Sequence, residues 1–507
     1  MKVLLIYPDI LFHREDWTGY FYVGIGSLSA VLKKEGHETS LFHVTKPVNR
    51  SKFIKTVEKE APDLIGFSAT SPMFPLVRQY ASWLSGMAVP TICGGIHPTI
   101  APEESIGVKG IDIICRGEGE APLAELCQRI KKNEDIGNIP NLWTKCNDTI
   151  VKNPLRPLLD DLDSLPYPDR SIFSYATLFH ERLGGATFVA SRGCPYNCTY
   201  CCNHLLRKIY GSQHKPVRFR SVDNLVGEIR QVIKDYPFVK SLVFDDDILF
   251  LKRTWSKEFA EKCGKQIQLP LTCNARPDVT DKTMVKLMKK AGCHHVKFGL
   301  ESGNEYISNE VLNRHLTNES IKNAFALCKK TGLVAESFNM IGVPHDTPAT
   351  ILDTIKLNAM IGVDKMQISI YQPYQGTRLA DQCDEQNYIV QKDLESDWFS
   401  PMLELDTISS SQVLMFRDYF KVLVRFYQVL QKLPAGSSEF FITLSDKILS
   451  FDPSSYLLNS IYIPLNYLYR RMLALKMKAR IAWRESGRYA LKKYKSPGQN
   501  KHGKVRI

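Results

Sequence analysis

Ser191-Arg192-Gly193-Cys194-Pro195-Tyr196-Asn197-Cys198-Thr199-Tyr200-Cys201 sets three cysteines in a C-x-x-x-C-x-x-C spacing, directly after a β-type run, Ala186-Thr187-Phe188-Val189-Ala190. Three thiolates on one short loop suit an iron–sulfur cluster. A four-iron cubane normally takes four cysteines, so three local ones leave one iron open to bind and activate a small molecule. Zinc is the competing reading, with Cys194, Cys198, Cys201 and a fourth ligand from Cys202 or His204. Structural zinc sites usually pair two ligand sets, and no second C-x-x-C occurs here. A disulfide framework does not suit a long chain without an export signal. Cys202 reads as a spare buried thiol.

The spacing, with Tyr200 just before the last cysteine, resembles the radical S-adenosylmethionine (SAM) enzymes. That resemblance implies a [4Fe-4S] cluster on Cys194, Cys198 and Cys201, with the amino and carboxylate groups of SAM on the open iron.

The chain has 507 residues, enough for about three domains at ~150 residues each. Hydrophobic residues make up 44%, which supports sizeable cores. Thirteen cysteines, single outside the cluster loop, fit a reducing compartment, and a cytoplasmic location is expected. The apolar part of Met1–Asp9 is too short for a signal peptide. No 18-residue apolar run exists, so no spanning helix is expected. The net charge of +13 is uneven: residues 466–507 carry thirteen Lys and Arg against Glu485 alone, which leaves +1 for residues 1–465. A near-neutral body argues against one built to hold nucleic acid.

Residues 1–150 alternate strands and helices. Strands are expected at Lys2–Tyr7, Glu38–Phe42, Asp63–Ser68, Val89–Gly95 and Ile111–Cys115, with a helix from Gly24 to the Gly36 stop. That alternation implies a doubly wound, flavodoxin-like parallel sheet, with ligand at the strand C-terminal ends. Those ends carry small residues: Ser68-Ala69-Thr70, Gly94-Gly95 and Gly117. Gly94-Gly95-Ile96-His97-Pro98-Thr99, with Arg116-Gly117-Glu118-Gly119-Glu120, resembles the cobalamin-binding domain that precedes many radical SAM cores. The resemblance implies cobalamin contacts from Ser68, Thr70, Gly94, Gly95, Gly117 and Glu118. The Asp-x-His-x-x-Gly loop that puts a histidine under cobalt is missing, since the first loop reads Asp9-Ile10-Leu11-Phe12-His13-Arg14-Glu15-Asp16. No histidine on cobalt is expected. His97 faces the corrin or caps a turn, with the turn preferred.

Residues 151–180, punctuated by Pro154, Pro157, Pro166 and Pro168, read as an ordered linker. From 181 to 385, strands are expected at 186–190, 241–244, 271–275, 295–299, 335–341 and 365–370, between amphipathic helices such as Val222–Lys234 and Lys282–Ala291. Six β/α units imply a partial (β/α)6 barrel of the TIM type, with its chemistry at the strand C-terminal ends. The radical SAM resemblance runs along those ends. Asp245 and Asp246, in Phe244-Asp245-Asp246-Asp247, stand where many members meet the SAM amino group; a helix-capping acid cluster is the plain alternative. Arg276 faces the SAM carboxylate or is a surface arginine. Glu301 and Ser302, in Gly299-Leu300-Glu301-Ser302-Gly303, are implied SAM contacts. Gly342, in Phe338–Pro344, belongs to the adenine-stacking strand, and Tyr371–Thr377 closes the core.

Residues 386–507 read as mainly helical. Phe416, Phe420, Leu423 and Tyr427 at helical spacing are core positions. Leu468, Met472, Leu475, Ala479, Ala482 and Trp483 mark one face of a basic amphipathic tail, a membrane-surface pattern. A solvated helix packed on the core and a nucleic-acid tail compete with it. Residues 496–507 read as disordered.

The combined resemblance implies a cobalamin-dependent radical SAM enzyme that methylates an unactivated carbon: a 5′-deoxyadenosyl radical takes hydrogen, and methylcobalamin delivers methyl. It implies a small-molecule or lipid-like substrate and an electron donor of flavodoxin or ferredoxin type. A cyclase or oxidoreductase shares every motif. A corrinoid-binding sensor lacks a use for the SAM strands, and a methylthio-transferring RNA modifier would need clustered cysteines that Cys93, Cys115 and Cys127 do not supply.

Overall fold

Parallel strands covered on both faces need near-continuous apolar runs, and the first region supplies them. The computed structural model describes residues 1–10, 16–146, 149–211, 215–390 and 400–452. Strands β1 (Lys2–Pro8), β2 (Glu38–Val44), β3 (Leu64–Ser68), β4 (Thr91–Gly94) and β5 (Ile113–Cys115) form a parallel sheet in the order β2-β1-β3-β4-β5. Every residue of β1 after Lys2 is buried, as is all of β3. This is the doubly wound order expected. Two further strands, β6 (Leu142–Cys146) and β7 (Thr149–Lys152), extend it antiparallel. They escaped the sequence reading because the residues between them, Asn147-Asp148, are not the Asn-Gly or Asp-Gly pair that marks a tight hairpin.

The prolines after β7 hold an extended segment with four short 3₁₀ turns. It is riveted on both sides. The Asp169 carboxylate accepts from Ser29 Oγ at 2.7 Å and Lys33 Nζ at 2.6 Å, both on helix Val23–Lys34. The next residue, Arg170, is buried against the Phe21 and Phe188 rings, pairs with Glu228 at 2.7 Å and donates to the Thr187 carbonyl at 2.9 Å.

The second sheet holds six parallel strands, β8 (Gly185–Phe188), β11 (Ser241–Phe244), β12 (Leu271–Ala275), β13 (Cys293–Glu301), β14 (Val334–Ile341) and β15 (Lys365–Ile370), in the order β15-β14-β13-β12-β11-β8. A short antiparallel ribbon, β9 (Ser191–Arg192) with β10 (Arg218–Phe219), projects from the end of β8. The sheet is an open barrel. In β12, β14 and β15, buried residues alternate with more accessible ones, so one face packs on helices and the other lines a concave interior. Thr272, Asn274, Glu336 and Gln367 fall on the accessible set.

Helices Ser410–Leu430 and Ala435–Ser450 follow, and Phe416, Phe420, Leu423 and Tyr427 are buried as their spacing requires. Residues 1–452 form one compact unit. Trp398, Phe399 and the basic tail lie outside the described residues. Among those described, no helix is long and apolar enough to cross a membrane.

The two sheets are fastened by carboxylates that follow β5, with Glu118 at the centre. Glu118, just beyond β5, pairs with Arg192 of β9 at 2.9 Å and accepts from Arg218 of β10 at 2.9 and 3.1 Å. It also takes the Leu159 amide at 2.9 Å. Arg192 reaches Glu120 at 2.6 Å with its other arm. Burial alone would raise the Glu118 carboxyl, but the Arg218 hydrogen bond and the two guanidinium charges outweigh it and hold the group below its usual range. Glu118→Gln is expected to lower the thermal midpoint, by roughly 1–3 kcal/mol of unfolding free energy, between an exposed and a buried pair. Because the folded pKa is depressed, the wild type's advantage is complete above an unfolded value of about 4.3 and fades as pH falls through the lower folded value. Equal midpoints at pH 7 would contradict this role.

Candidate functional site

The cysteine loop is held from every side. Asp246 accepts from the Ala190 amide at 3.0 Å and from the Ser191 hydroxyl, setting the direction in which the chain leaves β8. Gly193 then turns at φ +94°, where a Cβ would lie 2.6 Å from the Pro216 carbonyl, so only glycine fits. Arg207, on helix Cys202–Tyr210, donates to the Pro195 carbonyl at 2.6 Å. Arg276 lies 3.5 Å over the Tyr196 ring. Thr199 is clamped to the end of a π-helical turn, Ile307–Val311: its amide donates to Leu312 at 3.1 Å and its hydroxyl to Val311 at 2.7 Å.

Cys198 is buried on this loop, and Cys194 and Cys201 are half-buried. Burial pushes the Cys194 thiol up to about 12 and raises Cys198. A hydrogen bond from Cys202, helped by Asn203, holds Cys201 below its ordinary value. Buried thiols that resist ionising alone are the donors whose protons a metal group displaces. Among the described residues, no three His, Cys, Asp or Glu converge on one point as a single ion requires. A cubane takes each sulfur on a different iron, so this donor set fits the cluster.

The strand ends beside the loop separate the expected SAM residues into two kinds. Asp245 and Asp247 are exposed, with Asp247 accepting from Asn203 at 3.1 Å. Asp246 is turned away as the loop's anchor, and its burial raises the carboxyl to about 6. Arg276 is engaged internally, with Asp278 at 3.0 and 3.2 Å and the Arg314 carbonyl at 2.8 Å. Glu301 sits at φ +62°, where the β13–β14 register shifts. A non-glycine residue in that region at a bulge is a built feature, re-aiming a side chain. Its buried carboxylate lies 3.4 Å from both Arg314 Nη1 and the Tyr200 hydroxyl, and Arg314 also bonds that hydroxyl. Ser302 is buried and caps the next turn, its Oγ accepting from the Asn304 amide at 3.2 Å. Gly342 gives its amide to Asp346 at 2.9 Å; burial pushes that carboxyl up to about 7.

Sequence reasoning passed over Arg314, which follows no motif, and Tyr200, noted only as an aromatic before Cys201. Gln372, directly after β15, is buried with its amide oxygen and nitrogen unpaired. A buried amide left without a protein partner suits a polar ligand.

At the mouth of the first sheet lies a cavity of about 330 Å³. Of the residues implied to meet cobalamin, Ser68, Gly94, Gly95, Gly117 and Glu118 line it and Thr70 does not. Leu5, Leu28, Gly66, Ile92 and Leu123 make it mainly apolar. Gly95, at φ +105°, is forced by the Ala69 backbone 2.6 Å from a would-be Cβ, whereas a Cβ on Gly94 would meet nothing nearer than 3.6 Å. His97 is not among the lining residues; it stacks on Phe74 and bonds Ser71 at 3.2 Å. The glycine wall and apolar floor fit a large flat cofactor. Tyr22, Val189 and Arg192 also line the cavity, so its wall includes the lead into the cysteine loop.

The radical SAM superfamily model matches residues 188–357, and the B12 binding domain model matches residues 20–127. The uncharacterized methyltransferase PH0819 of Pyrococcus horikoshii is 27% identical over 439 residues, 84% of this chain and 93% of the relative. The anaerobic magnesium-protoporphyrin IX monomethyl ester cyclase of Rubrivivax gelatinosus is 25% identical, over 74% of this chain and 68% of its own. The hopanoid C-3 methylase of Methylococcus capsulatus is 24% identical, over 74% and 71%. Among solved structures, the radical SAM methyltransferase TsrM of Kitasatospora setae, with cobalamin and cluster bound, superposes with a TM-score of 0.62 at 18% identity, covering 81% of this chain and 83% of that one. The cobalamin-dependent radical enzyme OxsB gives 0.64 at 16% identity, covering 90% and 72%. At such identities the structural likeness speaks for the fold. With one family model over the cavity-bearing sheet and the other over the cysteine loop and open barrel, the chain is a cobalamin-dependent radical SAM enzyme.

Proposed function

We propose that the enzyme methylates an unactivated carbon of a small molecule held between the mouths of its two sheets. The observation behind this reading is the shared wall: Val189 and Arg192 line the cavity, and Arg192 stands two residues before Cys194. When bound, the cluster with SAM supplies a hydrogen-abstracting adenosyl radical and cobalamin supplies a methyl group. The chain's part is to hold and orient. Cys194, Cys198 and Cys201 take the cluster. Glu301, aimed by its bulge and braced by Arg314 and Tyr200, takes the SAM amino group together with Asp245 and Asp247. Ser68, Gly94, Gly95 and Gly117 leave room for the corrinoid, and Glu118 fixes the distance between the two sites.

The relatives named as a methyltransferase and a methylase support this reading. The cyclase relative favours ring formation or oxidation as the second one. The hopanoid methylase, beside the basic segment 466–507, favours a lipid-like substrate and peripheral contact of that segment with an anionic membrane. A flavodoxin- or ferredoxin-type donor supplies the electron.

Anaerobically reconstituted protein with reductant and methyl-labelled SAM is expected to form 5′-deoxyadenosine, and to place label in the product when given substrate. Hydrogen abstraction without label in product would favour the cyclase reading. Replacing Cys194, Cys198 and Cys201 together by alanine is expected to remove cluster iron and all 5′-deoxyadenosine while cobalamin still binds; turnover that survived would end the proposal.

The cavity offers a cleaner test of cobalamin placement. Gly94→Val fills it without a backbone clash, so cobalamin stoichiometry is expected to collapse while cluster content and SAM cleavage persist. Full cobalamin occupancy in that variant would move the site elsewhere. Glu301→Gln is expected to weaken SAM binding roughly ten- to a hundredfold, the worth of a charged hydrogen bond at about 1.5–3 kcal/mol, as read by equilibrium dialysis. Unchanged affinity would release Glu301 from the role.

A further inference from the structure

Helix Ala435–Ser450 carries an exposed apolar stripe. At about 100° per residue, Phe440, Phe441, Leu444 and Ile448 fall on a single stripe. All four are exposed, Phe440 by 63% and Ile448 by 56%. The opposite side is pinned to the body by polar contacts. Asp446 accepts from Lys356 Nζ at 2.9 Å and from the Tyr427 hydroxyl. Gln412 Nε2 donates to the Ser450 carbonyl at 3.2 Å, and Ser409 Oγ to Asp452 at 2.7 Å. Leu449 is this helix's buried residue. Helix Ser410–Leu430, which packs against it, buries Phe416, Phe420, Leu423 and Tyr427 yet exposes Val422, Phe426 and Val429 on a second face, at i, i+4 and i+7. Scattered exposed apolar residues are ordinary, but seven large ones on two helices that pack together call for a partner.

We propose that this face inserts shallowly into an anionic membrane surface. Charge selects the occupant. The chain that leaves Asp452 carries, from residue 466 to 507, thirteen Lys and Arg against one Glu. A helix lying in the bilayer interface wants this pairing: bulky apolar side chains on one stripe and a dense basic segment next to it. The inference rests on the membrane reading of the basic segment and goes beyond it. Anchoring belongs to Phe440, Phe441, Leu444 and Ile448, while residues 466–507 supply attraction.

The test uses the full chain, loaded with cluster and cobalamin, sedimented with vesicles of equimolar phosphatidylcholine and phosphatidylglycerol, and with phosphatidylcholine alone, at physiological ionic strength. The wild type is expected to bind the anionic vesicles. The triple variant Phe440→Ser, Phe441→Ser, Leu444→Ser is expected to lose at least about tenfold in partitioning, with its thermal midpoint and 5′-deoxyadenosine formation unchanged. Equal partitioning of variant and wild type would overturn the anchoring role of this face and leave the basic segment's role standing. Equal binding to neutral vesicles would overturn the anionic surface and the basic segment's role together. A lipid-free wild-type dimer that the triple variant splits into monomers would make the face a protein interface instead.

Discussion

Arg192 joins the two halves of the chemistry. One arm of its guanidinium meets Glu118, on the loop that follows β5, and the other Glu120, which opens the next helix, Glu120–Lys132; both line the cavity. Its backbone belongs to the ribbon that runs into Cys194. A planar fork with two carboxylates fixes direction as well as distance, so the cysteine loop cannot swing relative to the cavity without breaking both pairs. Arg218, from the other strand of the ribbon, closes the network on Glu118. Glu118 therefore does two things: it forms part of the cavity wall, and its oxygens hold that wall to the next sheet.

That join would be of little use if the groups on either side of it could drift, and the backbone shows how drift is prevented. Gly193 and Gly95 both occupy left-handed conformations with a carbonyl 2.6 Å from where a Cβ would be. One brings the cysteine loop against Pro216, the other brings the cavity wall against Ala69. Glu301 adopts a positive φ without being glycine, at a cost of order 1–3 kcal/mol. Arg314 and Tyr200 hold it there from two sides. Such departures from regular backbone survive only where the surroundings over-determine them, and here all three stand at the sites assigned to cofactors.

Much of this was legible in the residues. The apolar runs of β1 to β5, the alternating strands of the barrel and the three-cysteine spacing each follow from local period or local chemistry, so the two sheets and the cluster loop came through. Ser68, Gly94, Gly95 and Gly117 line the cavity because strand ends with small side chains are recognisable as such. Other features were hidden because they are made by contacts distant in the chain. Nothing near Arg314 announces that it will reach Tyr200, 114 residues away. No local signal marks the β13 bulge or the π-helical turn that clamps Thr199. Arg276 looked available for a carboxylate ligand; Asp278, two residues on, already occupies it.

Asp245-Asp246-Asp247 shows how strand geometry decides what a motif can mean. Side chains at a strand end alternate between faces, so three acids in a row cannot all address one ligand. The middle one turns inward, takes the Ala190 amide and the Ser191 hydroxyl, and is raised to about 6 by its burial. Its neighbours are left on the accessible side. A buried carboxylate with no cationic partner among its hydrogen bonds is unfavourable, and its return is positional: it sets the exit from β8 that aims Arg192 and the thiols beyond it. The run thus comprises one structural acid flanked by two exposed ones. Asp346 follows the same logic behind Gly342, accepting from the Gly342 and Val343 amides at 2.9 and 3.2 Å and so holding the turn that follows β14.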